Sequence, residues 1–146
     1  MAKIKTLEIE SFKQVFPDMC NPNLPQMFGG ALWSLADELA HTLVLLNLSS
    51  SDTANNAVTH AFSGKFVAEP RMGDVLFMQA RIKECRRKGI GVDVNIVALD
   101  RFHKYYTKVA ELNFGFVTKH DKQFIYHNLE MPDDAFSSTP PAERFK

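Results

Sequence analysis

Cysteine is scarce in this sequence of 146 residues, which has only Cys20 and Cys85. Two cysteines do not make a disulfide framework, and they are typical of proteins in a reducing cytosol. The chain also lacks a CxxC pair and a His-x-x-x-His pair, the spacings that many metal sites use. We therefore expect a cytoplasmic protein that has no metal site and depends on its hydrophobic core.

An excess of charge of either sign is also missing, because 17 basic residues balance 17 acidic residues. A balanced chain has no overall field that would recruit nucleic acid or a membrane, so we expect neither partner. The N-terminus has no long apolar run and does not predict a signal peptide. The apolar run over 30–48 approaches membrane-spanning length, but Asp37, Glu38 and His41 interrupt it, which favours a buried helix.

The chain does have one strong helical pattern, followed by several strand patterns. A loop with three prolines over 15–28 leads through Gly29-Gly30 into the helix, which is predicted to run to about Leu48. Weaker patterns predict a first strand over 3–12 and a short piece within 122–128. Strands with alternating apolar residues are predicted at 58–68, 75–86, 90–99 and 105–118.

Short hairpins connect the main strands, so the sheet is predicted to be mainly antiparallel. Gly64 predicts a β-bulge or a close contact with another backbone. One flat sheet cannot cover a helix that is apolar nearly all round, so the sheet must wrap round it or another subunit must help. We predict one α+β domain over 1–130 and a loose or partner-draped tail over 131–146.

Asp37 is the main candidate for chemistry because it lies in the middle of the apolar helix. A buried carboxylate is costly unless it is paired, hydrogen-bonded or used in a reaction. The alternative is a structural acid satisfied by the backbone or by Ser34. Glu38 is the neighbouring candidate, but it points about 100° away around the helix. His41 follows Asp37 by one turn, so it either orients that carboxylate or packs as a core or interface histidine.

Three stretches in this order resemble the hot-dog-fold acyl-CoA thioesterases. They are an Asn-containing loop that leads into Met27-Phe-Gly-Gly and the helix, the turn Phe66-Val-Ala-Glu-Pro-Arg-Met-Gly-Asp74, and Phe114-Gly-Phe-Val-Thr118. In that family an aspartate typically follows the second glycine by seven residues, and the spacing from Gly30 to Asp37 agrees. The resemblance implies a hot-dog fold, in which an antiparallel sheet wraps around one long central helix.

The loop before the helix departs from the family's pattern. Members usually have a glycine shortly after the loop asparagine, whereas this chain has Leu24-Pro25 there and a loop one residue longer. Asn21 and Asn23 are therefore rival candidates for the catalytic-loop asparagine, and we favour Asn21.

The resemblance implies thioester hydrolysis at a site shared between the subunits of at least a homodimer. Asp37 would be the general base or nucleophile, and Asn21 (or Asn23) would position the water or the carbonyl. The backbone N–H of Gly30 is a suitable oxyanion donor, because the first N–H groups of a helix have no internal partner and lie at the positive end of its dipole. Coenzyme A is then part of the substrate, an acyl-CoA or acyl carrier protein thioester, and no separate cofactor is expected. The candidates for substrate binding are Asn23, Phe28, Gly29, Ser34, Arg71, Arg86 and Arg87.

Several of these side chains have two interpretations. Arg86 and Arg87 lie either at a solvated strand end or against the phosphates of coenzyme A, since arginine binds phosphate bidentately. Trp33 lines either the acyl channel or the dimer core. His60 is more typical of a packed histidine than of a base, and Cys20 of a small buried hydrophobic residue than of a nucleophile.

Two other functions are weighed against the thioesterase. A hot-dog dehydratase or hydratase needs an Asp/His pair, and Asp37 with His41 is the nearest equivalent. A non-catalytic acyl-CoA-binding hot-dog protein would keep the pocket and would keep its function when Asp37 is replaced.

Overall fold

The fold consists of one long helix held against a curled antiparallel sheet, as the sequence predicts. The computed structural model describes residues 2–100 and 104–132, and the predicted tail over 131–146 lies outside these residues apart from its first two positions. The helix α1 runs over Gly29–Leu48, and a 3₁₀ turn at Pro17–Met19 precedes it. The strands are β1 (Ala2–Lys3), β2 (Glu8–Gln14), β3 (Asn56–Phe66), β4 (Val75–Cys85), β5 (Gly89–Asp100), β6 (Tyr105–His120), β7 (Gln123–Phe124) and β8 (Leu129–Glu130).

The main sheet has the strand order β2-β4-β5-β6-β3, and every neighbouring pair in it is antiparallel. The strands β2 and β3 are therefore its two edges. The short strand β7 pairs with the end of β6, and β1 and β8 form a separate parallel pair. The predicted hairpin at 87–89 is confirmed, because Arg86 and Gly89 exchange backbone hydrogen bonds of 2.7 and 3.4 Å.

The core lies between α1 and the inner face of the sheet. The apolar alternation of β4, β5 and β6 is confirmed, since the inward residues on each of these strands are buried. The helix contributes Leu32, Ala36, Ala40, Leu43 and Val44, each at most 2% exposed. Alanine at two of these positions lets the helix axis approach the sheet closely, which places its other side chains against the edge strand β3.

The single strand predicted over 3–12 is wrong, because the chain forms two separate strands there. The backbone of Thr6 bonds to the side chain of Asn47 instead of to a neighbouring strand. The Thr6 N–H donates to Asn47 Oδ1 at 3.0 Å, and Asn47 Nδ2 donates to the Thr6 carbonyl at 2.7 Å. This contact joins the N-terminal segment to the last turn of α1 and divides β1 from β2.

The close contact predicted at Gly64 is confirmed, but the bulge lies elsewhere. Gly64 has φ +155°, and a Cβ built on it would lie 2.5 Å from the Glu111 carbonyl oxygen. The register between β3 and β6 shifts between Thr59 and Ala61, so the bulge is at His60. His60 Nδ1 lies 3.0 Å from the Gly115 carbonyl oxygen, which supports its interpretation as a packed histidine.

Several apolar side chains of α1 stay partly exposed. Trp33, Leu45 and Leu46 are 37%, 40% and 50% exposed, so the sheet does not wrap the apolar helix completely. Over the described ranges, no helix combines the length and the apolarity that a membrane span requires.

Candidate functional site

The Asp37 carboxylate lies where α1 meets the edge strand β3. Thr59, on β3, donates a hydrogen bond of 2.7 Å from Oγ1 to Asp37 Oδ1. Asp37 is half-buried, which corrects the expectation of a fully buried acid. A single hydroxyl donor leaves the carboxylate with further lone pairs. The group is therefore held in one orientation and is still reachable by a substrate or a water molecule.

Thr59 is the partner of Asp37 that the sequence interpretation missed. Its strand was predicted, but hydrophobic periodicity does not specify which strand residue lies opposite which helix residue. The bulge at His60 adds to the difficulty, because it changes the side-chain alternation directly after Thr59. The one available signal was a hydroxyl residue on the strand that follows the helix.

Asp37 does not use Ser34 or His41, the two neighbours that the sequence suggested as its partners. Ser34 is exposed on the helix surface, as is Glu38, the alternative candidate. His41 Nε2 lies 2.9 Å from the Ala57 carbonyl oxygen, and its ring stacks on Phe116 at 5.7 Å between centroids. His41 is therefore fixed to the sheet as a packed histidine, and the Asp/His pair that a dehydratase needs is not formed by these contacts.

Asn21 and Asn23 lie in a compact loop before α1. The Asn21 N–H and its Nδ2 both donate to the Gln26 carbonyl, at 2.9 and 3.4 Å. Asn21 is half-buried, whereas Asn23 is exposed and has φ 68°. A positive φ is common for asparagine in turns, so Asn23 has a structural reason to be there. Asn21 thus stays the better candidate for a functional amide.

The loop is joined to the turn that carries Arg71. Gln26 and Arg71 form an isolated antiparallel bridge, and the Met27 N–H donates to the Pro70 carbonyl at 2.8 Å. The Arg71 N–H in turn donates to Asp74 Oδ2 at 2.9 Å. Arg71 is exposed, so its guanidinium lies beside the asparagine loop and is free to reach a ligand there.

Cys20 lies in this loop as well, and it is half-exposed rather than buried. Its Sγ lies 3.7 Å from the Phe16 carbonyl oxygen and 3.8 Å from the Pro25 carbonyl oxygen. The thiol therefore contacts backbone acceptors, and neither contact involves a base that would activate it as a nucleophile.

The first turn of α1 presents Gly29 and Gly30, both exposed. The Phe66 ring lies 3.1 Å from the position a Cβ would take on Gly29, and the Phe28 ring lies 3.3 Å from that position on Gly30. Phe28 is 39% exposed, so it borders the helix N-terminus without covering it. The N–H groups of Ala31 and Leu32 donate to the Phe28 carbonyl, which leaves those of Gly29 and Gly30 for an oxyanion.

Gly30 and Asp37 are too far apart to act directly on the same carbonyl group within one subunit. They are seven residues apart on one helix, a separation of about 10.5 Å along its axis at 1.5 Å per residue. A reacting carbonyl lies within roughly 3–3.5 Å of each group that acts on it. The structure brings Asp37 to Thr59 and Gly30 to Phe28, and it keeps the two predicted catalytic groups apart.

Arg86 and Arg87 lie in the hairpin between β4 and β5, at the opposite end of the sheet from Arg71. They border a cavity of about 530 Å³ that Tyr126, His127 and the β8 segment also line. Arg87 Cζ and Lys88 Nζ lie 6.0 and 5.3 Å from the centre of the Tyr126 ring. Arg86 pairs with Glu84 at 3.3 Å on the solvated surface.

Comparison with known proteins identifies the family to which this geometry corresponds. The family model described as the thioesterase superfamily matches residues 25–101. No curated protein sequence gave a match.

Solved structures share the fold. An acyl-CoA hydrolase from Staphylococcus aureus, crystallised with butyryl coenzyme A, coenzyme A and coenzyme A disulfide, is 25% identical with a TM-score of 0.72 over 87% of this chain and 76% of that one. A hexameric acyl-CoA thioesterase without ligand is 19% identical, with a TM-score of 0.77 over 98% of this chain and 86% of that one. The predicted hot-dog fold is confirmed by these likenesses. Variants of the S. aureus enzyme have also been solved in which an asparagine, an aspartate or a threonine is replaced by alanine.

Proposed function

This chain belongs to the thioesterase superfamily, and on that premise we propose that it hydrolyses acyl-CoA thioesters to a free acid and coenzyme A, with Asp37 as the catalytic carboxylate. Thioester hydrolysis is the reaction class that the family match and the acyl-CoA hydrolase neighbours support. The observation that carries the proposal is the half-buried Asp37 carboxylate, held by Thr59 at 2.7 Å on the open side of the helix.

In the proposed reaction, Asp37 takes a proton from a water molecule as that water attacks the thioester carbonyl. The negative charge that develops on the carbonyl oxygen is stabilised by the N–H of Gly30. The tetrahedral intermediate then collapses, the C–S bond breaks, and the leaving thiolate takes up the proton that Asp37 had accepted from the water, which restores the carboxylate. Thr59 acts on Asp37 as a positioning residue, because its hydroxyl occupies Oδ1 and leaves Oδ2 for the water. Asn21, on the loop, would orient the water or the carbonyl.

The separation of about 10.5 Å between Gly30 and Asp37 supports a site built from two subunits. The edge strand β3 offers a surface for a second copy, because it is eleven residues long and nine of them are exposed. Val58, Phe62 and Phe66 on this edge are 38%, 46% and 50% exposed. Antiparallel pairing of β3 with its counterpart would cover both edges. It would also place the Phe66 end of one copy, with Gly30, beside the Thr59 end of the other.

In the same arrangement, Arg71 of one subunit and the pair Arg86 and Arg87 of the other would have a common role. Thr118 pairs with Ala57 on β3, and its N–H donates to the Lys88 carbonyl at 2.8 Å. The hairpin with Arg86 and Arg87 therefore lies roughly 12 Å from Thr59, a distance that combines the length of two residues along a strand with two spacings between neighbouring strands. In a shared site, the hairpin of the Asp37 subunit and Arg71 of the Gly30 subunit would flank one substrate. We propose that they bind the phosphates of coenzyme A.

The test is release of free thiol from acyl-CoAs by the full chain and by Asp37→Asn. We expect a loss of about a hundredfold or more in kcat, the order expected for a catalytic base. Glu38→Gln is the matched control, because it removes a neighbouring carboxylate that faces solvent, and we expect it to keep wild-type activity. An active Asp37→Asn variant would rule out the proposed role of Asp37. A wild-type chain that cleaves no acyl-CoA would support the binding-protein alternative.

A further inference from the structure

The helix α1 contacts the edge strand β3 at four points that are spaced one helical turn apart. His41 binds the Ala57 carbonyl, and Asp37 binds Thr59. Trp33 packs edge-on against Phe62 with 5.4 Å between ring centroids, and Gly29 lies under the Phe66 ring. The helix positions in these contacts are 29, 33, 37 and 41, so one face of the helix makes all of them.

The Asp37–Thr59 contact is therefore enclosed by a neighbouring contact on each side. On the C-terminal side, His41 is fixed by its hydrogen bond to Ala57 and by stacking on Phe116, which is fully buried. An acyl chain has no opening there. On the N-terminal side, Trp33 and Phe62 are held to each other by an apolar contact alone, and they are 37% and 46% exposed.

Behind Trp33 and Phe62 the protein is closed to solvent. Phe62 packs on Phe114 with 5.3 Å between ring centroids, and Phe114 is 2% exposed. Ala36, beside Trp33 on the core side of the helix, is fully buried. An acyl chain that extends from a carbonyl at Asp37 toward the N-terminal side therefore meets the Trp33–Phe62 pair end-on, because the buried residues behind the pair leave no path into the interior.

We propose that Trp33 and Phe62 limit the length of the acyl chain, so that this enzyme prefers short acyl thioesters such as butyryl-CoA over long ones. The inference rests on the proposed function and names its substrate class. A short chain ends against the edge-to-face pair. A longer chain would have to displace one of the two rings from its partner, and the energy of that contact opposes its binding.

The experiment measures kcat/KM for acetyl-, butyryl-, hexanoyl-, decanoyl- and palmitoyl-CoA with the full chain, Trp33→Leu and Phe62→Leu. The readout is the ratio of the decanoyl value to the butyryl value within each protein, which a uniform loss of activity or of folded protein does not change. Phe12→Leu is the matched control. Phe12 is also an exposed aromatic residue that packs at a tilt on another ring, Phe77, but it lies on the opposite edge strand β2.

We expect the wild-type chain to favour butyryl-CoA and each of the two variants to raise the ratio by at least about tenfold, the discrimination that one or two methylene groups provide. The control should keep the wild-type ratio. A wild-type chain that prefers palmitoyl-CoA, or variants with an unchanged ratio, would overturn this inference and leave the thioesterase proposal standing. A wild-type chain that cleaves no thioester would overturn both. Because the two substitutions lie on different elements, poor folding of one variant leaves the other to decide.

Discussion

The two edge strands of the main sheet differ in length, in exposure and in what lies beside them. β2 has seven residues, of which Glu10, Phe12 and Gln14 are exposed, and it also carries the half-buried Glu8 and Lys13. β3 has eleven residues, of which nine are exposed, and it carries Val58, Phe62 and Phe66. Charged side chains on a short edge discourage pairing with another chain, whereas a long apolar edge promotes it.

The helix α1 also places different side chains near the two edges of the sheet. Its half-exposed aromatic and carboxylate side chains face β3, whereas near its other end the buried Asn47 binds Thr6, in the segment that precedes β2. The edge on which we propose that a second copy pairs is thus also the edge that carries the catalytic candidate. In that proposal, the exposure along β3 serves the active site and the assembly together.

The largest expected effect comes from placing a charge on the β3 edge. Val58→Lys puts an ammonium group where we propose that a second copy pairs, and burying an unpaired charge is strongly unfavourable. We expect the dissociation constant of the assembly to rise by about a hundredfold or more, and thiol release to fall with it. Light scattering after size exclusion gives the mass, and activity is measured on the same fractions.

The matched variant on the other edge is Phe12→Lys, at a position that is 63% exposed on β2. It should keep the wild-type mass and activity. If both lysine variants behave alike, or if the wild-type chain is a monomer that is fully active, the distinction between the two edges is wrong.

A smaller effect is expected where β3 approaches β6 most closely. Gly64→Ala would place a Cβ 2.5 Å from the Glu111 carbonyl oxygen and 2.9 Å from Leu112 Cα, at φ +155°. Strain of this kind costs about 1–3 kcal/mol, so we expect a Tm lower by roughly 4–8 °C for a cost near 2 kcal/mol. The measurement is thermal unfolding followed by circular dichroism.

Gly89→Ala provides the control for that substitution. The nearest atom to a Cβ on Gly89 is 3.6 Å away, which is ordinary contact. We expect its Tm to stay within about 2 °C of the wild-type value, in keeping with a change of at most about 0.5 kcal/mol. Equal Tm values for the two alanine variants would show that β3 is free to move away from β6.

The smallest effect concerns Cys85, at the end of β4, where it pairs with Ile90 on β5. Burial, and next the charge of Glu84, raise the pKa of this thiol to about 11. Only roughly a thousandth of it is thiolate at pH 8, so alkylation by iodoacetamide should be slow there and rise about tenfold per pH unit. Mass spectrometry of the labelled peptide follows the rate, and labelling at pH 8 as fast as that of a free thiol would contradict the burial.

The raised pKa of Cys85 also makes the free energy of unfolding depend on pH. The folded protein binds this proton more tightly than the unfolded chain, whose ordinary value is near 9. The contribution is therefore fully present below about pH 9 and is lost as the pH rises through about 11. Cys85→Ala should remove this part of the alkaline loss of stability.

Much of the fold was predictable because its signals are local. The helix was predicted over 30–48 and is observed at Gly29–Leu48, because a 3.6-residue apolar period bounded by two glycines and a polar linker is unambiguous. The four long strands were predicted within a few residues, because each alternates cleanly. The first strand was wrong because a distant side chain, Asn47, takes the backbone hydrogen bonds of Thr6.

The site was predictable to the extent that motif spacing specifies it. Gly30 and Asp37 were identified by a spacing of seven residues within one helix. Thr59 was missed, and the assignment of Ser34 and His41 to Asp37 was not supported, because contacts between a helix and a strand depend on their relative register. That register depends on the bulge at His60 and on the small alanines of α1, and neither has a local signature.

The sequence by itself determined the helix, the four long strands, the inward faces of β4, β5 and β6 and the candidate carboxylate, since periodicity and short-range spacing are properties of neighbouring residues. Only the tertiary structure decided that Asp37 is held by Thr59 and that Trp33 and Phe62 lie next to it. The physical reason is that packing joins residues far apart in the chain. Which of them meet depends on how closely a helix and a sheet can approach.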